Sequence, residues 1–233
     1  MARNHSDLRC RCQSIPTTTR TPCPRHRAAP ARTAMIPTEL PRIVLASSSP
    51  YRQALLRRVL PEFSTAAPDI DESPLPAEAP ETLVRRLAEA KARAVALTHP
   101  DALIIGSDQV AALGAQLLTK PGHRSRAIEQ LRACSGHSVR FCTGLCVLDA
   151  PSATADVLVE AFTVHFLSLS PAQIEHYIDR EQPLDCAGAF KAEGLGVALF
   201  ERLEGDDPSS LIGLPLIALC GLLRKRGIDP LLL

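Results

Sequence analysis

The chain of 233 residues has no apolar run long enough to cross a bilayer. Its longest, from Leu211 to Leu223, is interrupted by Gly213, Pro215 and Gly221, whereas a spanning helix needs about 20 consecutive apolar residues. No apolar core follows the early arginines, which excludes an ordinary secretory signal. Cysteine pairs are missing too. Of eight cysteines, Cys10, Cys12 and Cys23 fall in the first 34 residues, and Cys134, Cys142, Cys146, Cys186 and Cys220 are scattered without a CxxC pair. That spacing argues against structural zinc and suits small buried thiols in a reducing cytoplasm. The common phosphate and hydrolase signatures GxxxxGKS/T, GxGxxG, HExxH and GxSxG are absent. A strong charge of either sign is absent as well, since the formal net charge is +1.

That near-zero balance hides an asymmetry. Residues 1–34 hold seven Arg and one acid, net +6, which leaves −5 for the remainder. A mildly acidic body argues against a nucleic-acid-binding surface. Residues 17–30 are rich in Thr, Pro and Arg and carry no helical or strand period, so residues 1–40 read as a disordered basic leader. Met35 lies just before the first ordered pattern. Either it is the true start, or the acid-poor extension is a targeting peptide, which its density of proline fits poorly. Residues 41–233, in a chain with 45% hydrophobic and 22% charged residues, can bury a full core as one domain.

The apolar run Ala102–Ile105 between Pro100 and Gly106 predicts a buried strand ending in Gly106-Ser107-Asp108-Gln109. Ligands in open α/β sheets bind beyond the carboxyl ends of strands, so Asp108 at that tip can reach a substrate, or it only caps a turn. Upstream, Ile43–Ala46 predicts a strand, and Ser49-Pro50 a helix start carrying Leu55, Leu56, Val59 and Leu60 on one face. Ser47, Ser49 and Arg52 thus cluster at a helix N-terminus, a setting that favours an anion, unless Ser49 merely caps and Arg52 is solvated. In the acidic loop 68–74 a carboxylate such as Glu72 can hold a hard divalent cation, or be solvated. A helix from Pro80 to Thr98 places Lys91 beside its apolar stripe, where a lysine snorkels to water by default or faces a site that needs a cation.

Further on, Gly114 marks a turn before Thr119-Lys120-Pro121, and a short helix spans Ala127 to Cys134. Ser138–Leu148 and Val157–Leu169 predict a hairpin around Asp149-Ala150-Pro151-Ser152. Ser170-Pro-Ala-Gln173 is a capping box that starts another helix. Three glycines surround Lys191 and Glu193 in the segment Gly188–Gly196, which suggests backbone packed close to a ligand, or only turns. Val197–Leu203 reads as a strand, and the last helix, near Pro215 to Lys225, ends in a basic turn and Gly227.

The set Leu45–Arg52, Asp71-Glu72, Ala90-Lys91-Ala92, Gly106–Gln109, Lys120-Pro121, Gly136 and Gly188–Gly194 resembles, in order and spacing as well as residue type, the Maf family of nucleotide pyrophosphatases. The resemblance runs from about Pro41 to the C-terminus, and within the family it is most similar to the YceF-type branch described as 7-methyl-GTP pyrophosphatases. It implies an α/β fold with a central mixed sheet, flanking helices and two lobes around a cleft, of the Maf/ITPase-like kind. It also implies a homodimer and a nucleoside triphosphate substrate. By the same resemblance Asp108 is the proton acceptor and Arg52, Gln109 and Glu193 set substrate choice. The chemistry is compatible. Ser47, Ser49, Lys91, Lys120 and Arg52 can neutralise or bind phosphate, and Glu72 can help place Mg²⁺ or Mn²⁺. The branch acting on dTTP and UTP has threonine and glutamine where this chain has Gln109 and Glu193. A carboxylate at Glu193 can accept from the N1–H and N2–H₂ edge of guanine and favours the positive charge that N7-methylation brings, unless it pairs with Lys191. Rival readings are action on other triphosphates, or a non-catalytic nucleotide-binding regulator of cell division.

Overall fold

The computed structural model describes residues 40–233, so the expectations for the leader, residues 1–39 above all, fall outside the described residues. The first strand, Ile43–Ala46 (β1), is buried throughout. Helix α1 (Pro50–Leu56) begins as its sequence predicts: Ser49 Oγ accepts the Arg52 backbone N–H, and Pro50 takes the first helical turn. It stops at Leu56, sooner than the apolar spacing suggests, and Leu60 is buried in the turn behind it. A two-residue strand Ser64–Thr65 (β2) precedes the long helix α2 (Pro80–Ala96). Then come β3 (Leu103–Leu113), β4 (Gln116–Leu118), α3 (Arg124–Cys134), β5 (Ser138–Asp149) and β6 (Thr154–Phe166). Helix α4 (Pro171–Glu181) carries the full capping box of Ser170 and Gln173. The chain closes with β7 (Phe200–Glu204) and α5 (Leu216–Lys225), with short 3-10 turns between.

The strand expected over Val197–Leu203 is shifted. Leu195–Leu199 is a 3-10 turn, because the Gly196 amide folds back to the Lys191 carbonyl, and pairing with β6 begins only at Phe200, beside a register break at His165/Phe166. The hairpin forms as predicted in kind, although β6 starts three residues early, at Thr154, and ends at Phe166.

These strands build one mixed sheet in the order β2-β1-β3-β5-β6-β7, with β4 paired to β3. β1 runs parallel to both its neighbours; every other pair is antiparallel. The long strands β3 and β5 pass through two lobes. One is built on Phe141, Phe162, Phe166 and Phe190 with α3 and α4, and the rings of Phe141 and Phe166 meet that of Phe190 edge to face, where aromatic pairs are favourable. The other packs β1, α1, α2 and α5 around the start of β3 and the end of β5. No helix among the described residues is long and apolar enough to cross a membrane.

One expectation is corrected in a way that matters for the site. Asp108 is not at a strand tip: β3 continues through Gly106-Ser107-Asp108-Gln109 to Leu113. The breakers do not stop the strand because β5 pairs with it along its length, with Asp108 opposite Gly144. What ends is β1, whose last partner pair is Ala46 with Gly106, while the pairing of β3 with β4 begins only at Ala111. Between those points β3 has an open edge. The ligand crevice expected beyond a strand end is therefore beyond the end of β1.

Glycines set the height of α2 over this sheet. A Cβ on Gly106 would lie 2.2 Å from the Ala88 carbonyl oxygen, and one on Gly144 would lie 2.1 Å from that of Val84. Both obstacles are helix backbone, which cannot swing aside. Gly144→Ala is accordingly predicted to destabilise the fold by about 1–3 kcal/mol, the usual range for overpacking, or more. Gly221→Ala, in helix α5 with open space around the new methyl, should stabilise it by about 0.5–1 kcal/mol. Urea unfolding of both variants checks the opposite signs.

Candidate active site

Strand alternation divides the open stretch of β3 between two faces. Gly106 and Asp108 look toward α2, whereas Ser107 and Gln109 look toward the turn that precedes α5. On the α2 face, the close approach lets Lys91 reach the strand: its Nζ donates to Asp108 Oδ1 at 2.6 Å and lies 2.9 Å from Glu72 Oε1. Lys91 is 5% and Asp108 6% exposed, so the default of a snorkelling lysine does not hold. Its ammonium is turned to the cleft between two carboxylates, one buried and one exposed, because the close approach of the helix to the sheet puts Asp108 within its reach. The other Asp108 oxygen has no hydrogen-bond partner among the described residues.

On the opposite face, Gln109 Nε2 donates to the Ser210 carbonyl at 2.7 Å, the Leu211 carbonyl at 3.2 Å and Thr143 Oγ1 at 3.1 Å. With its amide hydrogens committed, Gln109 has its carbonyl oxygen left to offer. Arg52 is anchored through the same turn, since its Nε donates to the Gly213 carbonyl at 2.7 Å, and Nη1 approaches Ser47 Oγ at 3.5 Å. Burial draws the Arg52 pKa below its ordinary value, while nearby Asp108 and Glu72 oppose that shift. Ser47 Oγ also accepts the Ser49 amide, which fixes the β1–α1 turn as a nest of hydroxyls at a helix start.

These groups line one cleft of about 480 Å³, within the range of small-molecule sites. Its wall includes Asp108, Lys91 and Glu72 at the floor, and Ser47, Ser49 and Arg52 beside them. Gln109, Lys120 and Glu193 line it as well. The nine positions singled out in the sequence are thus brought to one cavity, although their separate roles are not fixed by position. Lys120 and Glu193 are exposed and have no ion-pair partner among the described residues. Lys191 does not neutralise Glu193. Its Nζ donates instead to the Glu181 carbonyl at 2.7 Å.

Sequence reasoning missed part of this wall. Tyr51, Phe141 and Phe190 line it with apolar surface, and Tyr51 OH approaches Asp185 Oδ1 at 3.4 Å across the cleft. Tyr51 sits next to Arg52 and could have been found from that adjacency. Phe141 and Phe190 look like ordinary core residues in the sequence. Among the described residues no group of three or more His, Cys, Asp or Glu side chains converges as a metal cage.

A family model described as Maf-like protein matches residues 42–226. Among curated relatives, the 7-methyl-GTP pyrophosphatase of Nitrosococcus oceani is 56% identical over 187 residues, covering 80% of this chain and 94% of its own. That of Alcanivorax borkumensis is 53% identical over 191 residues, covering 82% and 97%. Among solved structures, the Ham1 protein of Staphylococcus aureus aligns with 79% of this chain and 99% of its own at 14% identity and a TM-score of 0.46.

Cys186 also faces the cleft, yet it is a poor nucleophile. Desolvation, reinforced by Asp185, pushes its thiol up to about 12. A raised thiol pKa means that thiolate appears only as pH climbs toward that value, so at pH 8 the thiolate fraction falls to roughly 10⁻⁴, against about a quarter for an ordinary thiol. Iodoacetamide at pH 8 should therefore label Cys186 more slowly than a free cysteine peptide, by about tenfold or more once the higher nucleophilicity of a high-pKa thiolate is counted, as mass spectrometry of the digested protein can measure.

Proposed function

The chain belongs to the Maf-like protein family, and on that premise we propose that it is a nucleoside triphosphate pyrophosphatase that hydrolyses 7-methyl-GTP to 7-methyl-GMP and diphosphate, clearing a modified nucleotide from the pool. The observation that carries this reading is the buried Asp108 carboxylate, which opens on a nucleotide-sized cleft with one oxygen bound to Lys91 and the other free of protein partners. In the reaction a water oxygen bonds to the α-phosphorus and the bond to the α–β bridging oxygen breaks. Diphosphate leaves with the electron pair, and the water proton passes to the unengaged oxygen of Asp108. Lys91 holds the base in one rotamer and adds positive charge where negative charge grows. Arg52, Ser47 and Ser49 offer donors to phosphate oxygens at the start of α1, and Lys120 extends that surface.

The donor set suits a hard divalent cation. Glu72 and Asp108 bring carboxylate oxygens to the same side of the cleft and already share one cation, the Lys91 ammonium. Mg²⁺ commonly takes one or two carboxylates, with substrate phosphates and water completing its shell. Glu72, with the substrate phosphates, would hold Mg²⁺ or Mn²⁺, which when bound would neutralise triphosphate charge and polarise the phosphoryl group.

Base choice follows from what the rim lacks. Gln109 has an acceptor left and Glu193 is an exposed carboxylate without a partner among the described residues. Acceptors suit the N1–H and N2–H₂ edge of guanine, and a carboxylate favours the cationic 7-methyl ring over the neutral one. The curated relatives carry the same substrate in their names. A cytoplasmic location and a homodimer complete the reading.

Side-by-side turnover of 7-methyl-GTP, GTP, dTTP and UTP with Mg²⁺ and Mn²⁺ should be fastest for 7-methyl-GTP; equal rates would refute the selectivity. Asp108→Asn should lower kcat by about 10²–10⁴ while 7-methyl-GTP still binds, the usual range for losing a general base. Glu193→Gln should shrink the ratio of kcat/KM for 7-methyl-GTP over GTP, and an unchanged ratio removes Glu193 from recognition.

A further inference from the structure

Two of the groups assigned above to substrate, Arg52 and Gln109, do not hold themselves in place. Their inner anchors are carbonyl oxygens of one short segment, Pro208–Gly213, a 3-10 turn closed by Gly213 at φ +118°. The Ser210 carbonyl accepts from Gln109 Nε2 at 2.7 Å and from Thr143 Oγ1 at 2.9 Å. The Leu211 carbonyl takes a second hydrogen of Gln109, and the Gly213 carbonyl accepts from Arg52 Nε at 2.7 Å and Ser107 Oγ at 3.0 Å. Side chains from α1, β3 and β5 thus converge on three oxygens of one turn.

The turn is fixed in its place by Asp207, a 3%-exposed carboxylate outside the cleft wall. Its Oδ1 accepts from the Ser209 amide at 3.1 Å and the Ser209 hydroxyl at 2.5 Å. Its Oδ2 reaches over the turn to the N-terminus of α5, accepting from the Ile217 amide at 2.7 Å and the Ala218 amide at 3.4 Å. Ser209 Oγ in turn accepts the Leu216 amide at 2.7 Å. A buried carboxylate is costly unless its lone pairs are filled. Here both oxygens are occupied, one by the turn and one by the helix dipole.

We infer that Asp207 is a positioning residue for substrate recognition: by pinning the 208–213 turn to helix α5 it sets the carbonyls that aim Arg52 and Gln109 into the cleft. The Asp108–Lys91 pair lies on the opposite face of β3 and makes no hydrogen bond to this turn among the described residues. The two functions of the site are therefore separable. Loss of Asp207 should loosen recognition while leaving the proton acceptor in place. The inference rests on the proposed assignment of Arg52 and Gln109 to the nucleotide.

The test uses the full chain and steady-state turnover of 7-methyl-GTP and GTP, on protein shown to be folded by near-ultraviolet circular dichroism and a cooperative urea transition. Asp207→Ala should raise KM for 7-methyl-GTP about tenfold or more and cut the 7-methyl-GTP over GTP preference at least about fivefold, with kcat changed much less. Asp207→Asn keeps one acceptor oxygen and should recover part of both losses. A purely structural role would instead lower the active fraction, which reduces apparent kcat at unchanged KM and unchanged preference. That result overturns the inference. If Asp207→Ala does not fold, Ser209→Ala removes the hydroxyl between Asp207 and Leu216 and should move KM and preference in the same direction, and native values there overturn the inference too. A native chain that cleaves neither nucleotide overturns the reading of the site itself, a failure distinct from normal turnover with unaltered variants.

Discussion

Everything at the site depends on how closely helix α2 lies on the sheet. Gly106 and Gly144 leave no side chain between the helix backbone and the strands, so a lysine on the helix can touch a carboxylate in the middle of β3. Pressed together at 2.6 Å, Lys91 and Asp108 form a buried, charge-assisted hydrogen bond. Such a pair is a weak way to stabilise a fold, because the desolvation of both ions offsets most of their attraction, and apolar residues of similar size often do as well. Its presence is better explained by chemistry. A carboxylate held in one rotamer, out of bulk water and beside a fixed positive charge, meets the reaction without having to reorganise.

The second constraint is topological. β1 and β4 pair with the same edge of β3 but not with the same residues, and the interval between Gly106 and Ala111 is left open on that side. A sheet edge is usually a hazard, since its unpaired groups invite another strand. Here that interval faces a cleft whose wall also holds the serine hydroxyls of the β1–α1 turn and Arg52 of α1, donors that a phosphate can use. Because side chains alternate, this one interval supplies Asp108 to one face and Ser107 and Gln109 to the other. In the proposed reaction, proton transfer and base recognition thus fall to neighbouring residues that do not share partners.

Much of this was legible in the sequence. Ser49-Pro50 and Ser170-Pro171 signal helix starts through local hydrogen bonds alone, and both helices begin there. The period of α2 and the β-branched and aromatic content of the hairpin are sustained enough to survive irregularities. The course of β3 was not legible, because Gly-Ser-Asp-Gln reads as a break unless the strand pairing with it is known. Those polar residues are tolerated within the sheet only because Lys91, the Gly144 carbonyl and the 208–213 turn satisfy them. For the same reason the burial of Lys91 could not be read from its helical position, which is compatible with snorkelling. The resemblance to a known family picked out positions that the fold brings to one cleft, whereas the bonds between them required the fold. Gln109 illustrates the gap. Its identity suggests an amide with donors and acceptors to offer, but three scaffold acceptors consume its hydrogens and leave it the opposite character.

That change of character has a consequence for selectivity. A site that recognised its base through a free amide could turn the amide over and accept either a donor or an acceptor edge. Fixing Gln109 Nε2 on the protein removes that choice, and Glu193 has only acceptors by its nature. A pyrimidine such as thymine or uracil presents a single ring N–H between two carbonyls, so two acceptors would face oxygen lone pairs at least once. Guanine presents adjacent N1–H and N2–H₂ donors and meets both. Methylation at N7 leaves that edge intact and adds a positive charge, so the same carboxylate gains an attraction that does not depend on a further hydrogen bond. On the proposed assignment of Gln109 and Glu193, discrimination against pyrimidines would come from unpaired lone pairs, and discrimination between guanine and its 7-methyl form from charge. The second effect is the weaker of the two at an exposed rim, where solvent and salt screen it.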